Sequence, residues 1–65
     1  MPDIPLATLS RLMKKAGAHR VSDTAAEELR DVLEEQAYEI TQRAIKLAEH
    51  AGRVTVTRDD IKLAR

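Results

Sequence analysis

The sequence has no cysteine, tryptophan or phenylalanine, and Tyr38 is its one aromatic residue. Without cysteine the chain can form neither a disulfide framework nor a thiolate metal site. Its core must therefore be built from Leu, Ile, Val, Met and Ala. A domain of this length buries only about 60 % of the surface that its unfolded chain exposes. A second copy of the chain is the simplest remaining source of stability.

Long apolar runs are also absent. A membrane-spanning helix needs about 20 predominantly apolar residues, and no segment here approaches that length. The opening MPDIPLATLSRLMKK does not have the layout of a secretory signal peptide. We expect a soluble cytoplasmic protein with no membrane partner.

The sequence also lacks the patterns that accompany catalysis. Ser10, Ser22, His19 and His50 supply side chains found in catalytic triads. There is, however, no strained nucleophile turn, no Gly-rich phosphate loop and no metal-ligand spacing. We expect no enzymatic activity, no catalytic residue, no metal site, no cofactor and no small-molecule substrate.

Charge is balanced overall but unevenly distributed. The chain has 11 basic and 11 acidic residues, and this zero net charge by itself argues mildly against a nucleic-acid partner. Residues 1–22 are nevertheless basic, residues 23–39 are strongly acidic, and residues 40–65 are basic again. The acidic run from Glu27 to Glu39 is most simply a solvated face, which leaves the cations concentrated in the two flanking segments.

The first helix is predicted from the spacing of apolar residues after two prolines. Pro2 and Pro5 keep the start of the chain extended up to about Leu6. Apolar residues then recur three or four positions apart, at Leu6, Leu9, Leu12 and Met13. Because Gly17 suits the position after a helix end, we predict a helix from Leu6 to Lys15.

A long second helix and a short third helix follow. Ser22 is a good N-cap, and neither Pro nor Gly occurs between Asp23 and Ala51. The apolar residues of this segment, called the apolar stripe below, are Ala25, Ala26, Leu29, Val32, Leu33, Ala37, Ile40, Ala44, Leu47, Ala48 and Ala51. Thr57 and Asp60 have the spacing of a capping box, which predicts a third helix ending at Arg65.

The length of the second helix indicates a dimer. Residues 23–51 would form a rod of about 44 Å, whereas the two short helices span only about 15 Å and 12 Å. They cannot cover the whole apolar stripe, so we predict that a second chain covers it. The alternating residues Arg53 to Val56 predict an extended segment, whose backbone groups would pair with a loop of that second chain.

Several segments resemble the archaeal histones, to which some small bacterial histones are also similar. The most specific are Arg20-Val21-Ser22-Asp23, Ala44-Ile45-Lys46-Leu47-Ala48, His50-Ala51-Gly52-Arg53 and the spacing from Arg53 through Thr55 to Asp60. The resemblance extends from about Ile4 to Ala64. It implies an all-α histone fold, with residues 1–65 as a single domain that forms a head-to-tail handshake homodimer.

The resemblance also implies a function and a set of functional residues. Such a dimer would bind double-stranded DNA without sequence preference, on the chromosome, and bend, wrap or compact it. Arg20 would enter the minor groove beside Thr55 of the partner chain. The residues expected to contact DNA are Arg11, Lys14, Lys15, Arg20, Arg53, Val54 and Thr55. A salt bridge between Arg53 and Asp60 would orient the second loop.

Association beyond the dimer is a further implication of the resemblance. A tetramer or a larger assembly on DNA would use Leu47, His50, Asp60 and Leu63. Val54 and Thr57, however, stand where the archaeal proteins commonly have lysine, which removes charge from each loop. The alternative function is therefore a histone-fold module for protein pairing, with weak or no DNA binding.

Two further residues have a predicted place. Tyr38 is expected at the seam of the dimer with its hydroxyl in water. His19 is a loop residue near the expected DNA face; a phosphate contact is one role for it, and that of an ordinary loop histidine is the other.

Overall fold

A computed structural model describes residues 3–65, and its regular elements are three helices. These are α1 (Leu6–Lys15), α2 (Asp23–His50) and α3 (Arg58–Ala64). No strand occurs within residues 3–65. The predicted all-α class and the order short, long, short are confirmed. The segment 53–56 forms no strand in this single chain, and its predicted pairing with another chain stays a prediction.

Helices α1 and α2 end in the same way. After α1, the amide of Gly17 donates to the carbonyl of Lys14 and the amide of Ala18 to that of Met13. After α2, Gly52 donates to Glu49 and Arg53 donates to Ala48. Both patterns are Schellman motifs, in which the residue after the helix takes a positive φ. Gly17 has φ +119° and Gly52 has φ +72°.

Two helices end one residue before their predicted bounds: α3 was predicted to end at Arg65 and ends at Ala64, with Arg65 as its C-cap. The Schellman motif explains the other difference, at the end of α2. The sequence predicts that α2 continues to Ala51, but the helix ends at His50. The amide of Ala51 is shared between the carbonyls of Leu47 and Ala48, at 3.2 and 3.1 Å. The chain is therefore already tightening at Ala51 into the turn that Gly52 completes.

Two of the three helices start with a side-chain cap. Ser22 Oγ accepts the amide of Ala25 at 3.1 Å at the start of α2. At the start of α3, Thr57 and Asp60 form the predicted capping box, each side chain accepting the other's backbone amide. Helix α1 differs, because its N-cap is Pro5 and no side chain caps it.

The contacts of the chain group into two compact units, one up to Glu35 and one from Gln36 onward. In the first unit, α1 and the start of α2 bury Leu9 and Ala26, which are 2 % and 0 % exposed. In the second, the rest of α2 and α3 bury chiefly small residues, namely Ala44, Ala48 and Ala64, together with Asp60. The single-domain interpretation of residues 1–65 stays a prediction.

Much of the apolar surface remains open in the single chain. Exposed large apolar residues are Leu12, Val32, Tyr38, Ile45, Val54, Ile61 and Leu63. Two of them, Val32 and Tyr38, lie on α2 near its middle. Within residues 3–65, none of the helices is long and apolar enough to cross a membrane.

Candidate nucleic-acid interface

The outer face of α1 carries three of the predicted DNA-binding residues. Arg11, Lys14 and Lys15 are exposed, whereas Leu9 points into the core of the first unit. Arg11 and Lys15 are four residues apart, so their side chains lie on the same face of the helix. Helix α1 contains no acidic residue, so all of its charged side chains are cations.

Arg20 lies in the loop between α1 and α2, and its side chain is exposed. The loop is fixed at both of its ends, by the Schellman motif at Gly17 and by the cap at Ser22. His19 is exposed beside Arg20. The ion pair found within residues 3–65 involves neither the α1 cations nor Arg20. These cations are therefore free to meet phosphate.

That ion pair joins Arg53 to Asp60 and organises the second loop. Arg53 Nη1 donates to Asp60 Oδ2 at 2.9 Å, and Nη2 donates to Oδ1 at 2.8 Å. Nη1 also donates to the carbonyl of Thr55 at 2.9 Å. The bidentate geometry matches the planar guanidinium to the carboxylate, and such charge-assisted pairs are the stronger hydrogen bonds. The loop between α2 and α3 is thereby tied to the start of α3.

Asp60 has a perturbed pKa as a result. Asp60 is 4 % exposed, and its Oδ2 also accepts a hydrogen bond from the backbone amide of Thr57 at 2.9 Å. The Arg53 guanidinium and then the Thr57 amide hold the pKa of the Asp60 carboxyl far below its usual range. The hydrogen bonds that Arg53 donates to Asp60 raise the pKa of Arg53 in turn. Asp60 is thus ionised whenever the loop is folded at neutral pH.

The tip of the second loop projects into solvent. Val54 is fully exposed, at 101 %, and Thr55 is exposed beside it. Arg53 precedes them and donates three hydrogen bonds, one to the carbonyl of Thr55 and two to the carboxylate of Asp60. The structure therefore places Arg53 where it holds Val54 and Thr55 in position. A direct contact of Arg53 with DNA stays a prediction.

Comparison with known proteins identifies the family. A family model described as "Histone-like transcription factor (CBF/NF-Y) and archaeal histone" matches residues 2–64. The chain belongs to this family. The predicted resemblance is confirmed over nearly the whole chain, and the three helices are those of the histone fold.

Two curated relatives of this histone chain are similar along almost their full length. One of the subunits of archaeal histone HAN1 from Thermococcus zilligii is 48 % identical over 64 residues, which cover 98 % of this chain and 96 % of the relative. Probable archaeal histone 3 of Methanocaldococcus jannaschii is 45 % identical with the same coverage of both chains. Neither name refers to an enzymatic activity.

The residues predicted for contacts between histone dimers lie in the second unit. Leu63 is 75 % exposed, His50 is exposed and Leu47 is half-buried. Asp60 differs from them, because it is buried and both of its carboxylate oxygens already accept hydrogen bonds within the loop. Its predicted part in a contact between dimers stays a prediction, and such a contact would have to share these oxygens with Arg53.

Three interactions of the histone chain were not predicted from its sequence. Arg43 Nε donates to the carbonyl of Ala64 at 2.8 Å, at the end of α3. Gln42 donates to the hydroxyl of Tyr38 at 3.1 Å, and Tyr38 is 66 % exposed in the single chain. Glu34 accepts backbone amides from the segment before α1. In the first and the last of these interactions the partner is a main-chain group, and a main-chain group cannot be recognised from the residue type.

The acidic and histidine side chains do not gather into a metal centre. In the part of the chain that the structure describes, no group of three or more His, Asp or Glu side chains is placed to hold a metal ion.

Proposed function

We propose that this histone chain acts as a homodimer that binds double-stranded DNA without sequence preference and bends, wraps or compacts it on the chromosome. Membership of the archaeal histone family over residues 2–64 carries the proposal. Both curated relatives are named as archaeal histones, with 45 % and 48 % identity to this chain. DNA binding and dimerisation follow from the family, whereas the homodimer and its residues are the finer part of the proposal.

The exposed cations support a contact with the DNA backbone. Arg11, Lys14 and Lys15 share the outer face of α1, and Arg20 lies in the following loop. Histones bind without base readout, through cations on phosphates and arginines in the minor groove, as in the eukaryotic nucleosome. In the proposal Arg20 is the minor-groove residue and the α1 cations meet phosphates.

At each minor-groove contact of the proposed dimer, the second loop of one chain lies beside Arg20 of the other. Val54 and Thr55 are held at its exposed tip by the bonds between Arg53 and Asp60. In a handshake dimer this tip lies beside Arg20 of the other chain, where Thr55 steadies the arginine or contacts phosphate. Val54 adds no charge, so each contact depends more heavily on Arg20.

Higher association is the last part of the proposal. Leu63 and His50 are open on the surface of the second unit, and with Leu47 and Asp60 they would join one dimer to the next on DNA. Mass action on a DNA template makes this assembly dependent on protein concentration.

The salt dependence of DNA binding tests the proposed function. If the dimer neutralises about six phosphates, log K against log salt should have a slope near −5 for any duplex of some tens of base pairs. Fluorescence anisotropy with duplexes of unrelated sequence measures this slope. A flat dependence, or no binding at low salt, would contradict the proposal and favour the protein-pairing module.

Arg20→Ala tests the site within that function. We expect weaker binding to all duplexes by a similar factor and a slope shallower by about 2, because each dimer loses two cationic contacts. Lys62→Ala is the matched control, since it removes one positive charge per chain from an exposed position on α3 outside the predicted set. Unfolding of the dimer by Arg20→Ala would show that Arg20 is structural, contrary to the assignment.

A further inference from the structure

Glu34 connects the start of the chain to α2 over a long distance in sequence. Its Oε2 accepts the backbone amide of Asp3 and, at 3.0 Å, that of Ile4. These two amides belong to the segment that leads into α1 through Pro5. Glu34 lies on α2, one residue before the end of the first unit. One carboxylate oxygen therefore fixes two consecutive amides about 30 residues away.

Within residues 3–65, no other side chain caps the start of α1. Its N-cap is Pro5, whose side chain makes no capping hydrogen bond, and the first turn contains no acidic residue. The amide of Thr8 is bonded locally, to the carbonyl of Pro5 at 3.2 Å. The ring of Pro5 fixes its φ at −63°, which restricts how the backbone can turn between Ile4 and the helix. What holds Ile4 therefore helps to set where α1 begins.

We propose that Glu34 is a positioning residue for α1: its carboxylate holds the backbone amides of Asp3 and Ile4, which lead into this helix, against α2. The part of this proposal that concerns DNA rests on the proposed function, because the cations of α1 are its predicted phosphate contacts. The contact with Asp3 and Ile4 stands on the geometry alone. Glu35, the next residue, is exposed and accepts no hydrogen bond within residues 3–65.

The charge state of Glu34 fits this role. Hydrogen bonds from Ile4 and then Asp3 lower the pKa of the Glu34 carboxyl. Arg30, one turn earlier on α2, lowers this pKa further, and Asp3 on the bonded segment carries a carboxyl of its own. Since the pKa is depressed in the folded state, the contact is complete above the ordinary pKa of glutamate and is lost as pH falls through the lowered value.

The amide protons report on the contact directly. In uniformly ¹⁵N-labelled full-length protein, the Ile4 amide proton should titrate with Glu34, at a midpoint below that of an ordinary glutamate. Glu34→Gln should abolish this titration and speed solvent exchange of the Asp3 and Ile4 amides at neutral pH at least a few-fold, because a charged acceptor makes the stronger bond. Glu35→Gln should change neither. If the titration and the solvent exchange of the Ile4 amide were unchanged in Glu34→Gln, the proposal would be overturned.

DNA affinity tests the positioning role with the same two variants. Each removes one negative charge from the same turn of α2, which alone would strengthen binding slightly. We expect Glu35→Gln to bind as well as the parent protein or better, and Glu34→Gln to bind at least a few-fold more weakly. Equal affinities for the two variants, with the amide contact demonstrably lost, would overturn the positioning role. If the parent protein bound no DNA, the proposed function would fail while the amide measurements would still decide the contact.

Discussion

Asp60 accepts hydrogen bonds from three nitrogen atoms that belong to two different parts of the second loop. Arg53 supplies its guanidinium from the end of α2, and Thr57 supplies its backbone amide from the start of α3. The carboxylate is nearly excluded from solvent at 4 % exposure. An uncharged or misplaced acceptor would leave Arg53 with a partly buried and unpaired charge, which costs more than the pair contributes.

The stability of the protein should therefore depend on pH through Asp60. The pKa of this carboxyl is depressed on folding, so its contribution is present above the ordinary aspartate value of about 3.9 and is lost as pH falls below it. We expect Asp60→Asn to lower the free energy of unfolding at pH 7 and to reduce the loss of stability between about pH 5 and pH 2. Urea unfolding followed by circular dichroism at several pH values measures both effects.

Asp59→Asn is the matched control for this prediction. Asp59 is the preceding residue and is exposed, and it makes no ion pair within residues 3–65. Its substitution should leave the stability at pH 7 nearly unchanged, because exposed charges away from such pairs contribute little. Equal effects of the two substitutions would mean that the loop does not depend on the Arg53 pair.

The residues of this loop were predictable from sequence only in part. The spacing of Thr57 and Asp60 predicted the capping box, and the resemblance to archaeal histones implied the bridge from Arg53. The sequence did not indicate that Arg53 also reaches the carbonyl of Thr55. The role of Glu34, which the sequence places in a solvated acidic run, is hidden for the same reason, since its partners are backbone amides that every non-proline residue possesses.

At the scale of the elements, both loops depend on a glycine with positive φ that follows a helix. Gly52 has φ +72° and no atom within 4 Å of the place a Cβ would take. Gly52→Ala should therefore destabilise the fold by backbone strain alone, by about 1–2 kcal/mol. Gly52→Asn should cost less, because asparagine accepts this conformation more readily than alanine. Urea unfolding of the two variants measures the difference.

Gly17 provides the comparison within the same chain. A Cβ there would also meet nothing within 4 Å, but its φ of +119° lies well outside the left-handed helical region that asparagine tolerates. Asparagine should therefore give much less relief over alanine at Gly17 than at Gly52. If asparagine relieved both sites equally, the strain argument for the two turns would be wrong.

The helix bounds were predictable because each has a local cause. Ser22 and Thr57 mark helix starts through side-chain caps, and Gly17 and Gly52 mark the ends through their backbone freedom. The extended segment 53–56 was different, since its predicted pairing partner lies in another chain. A segment whose hydrogen bonds are supplied by a neighbour has no reason to form a strand alone.

At the scale of the whole molecule, the single chain buries little apolar surface, and we expect it not to be stable by itself. Its buried apolar residues are mostly alanines, namely Ala26, Ala44, Ala48 and Ala64, with Leu9 as the one larger side chain among those found buried in residues 3–65. Val32 and Ile45, both on α2, are 39 % and 41 % exposed. Burial of apolar area is the main favourable term in folding, so we expect the missing part to come from a second chain.

Dimerisation should accordingly be inseparable from folding. If the folded monomer does not persist, each tenfold dilution removes about 1.4 kcal/mol from the apparent stability and lowers the melting temperature by roughly 5 °C. Circular dichroism over a hundredfold range of protein concentration measures this shift. Tyr38, 66 % exposed in the single chain, provides a second probe, because its fluorescence should change in the same transition if it lies at the dimer seam. A melting temperature independent of concentration, with sedimentation at the monomer mass, would contradict the dimer and remove the surface on which Arg20 meets Thr55 of the partner chain.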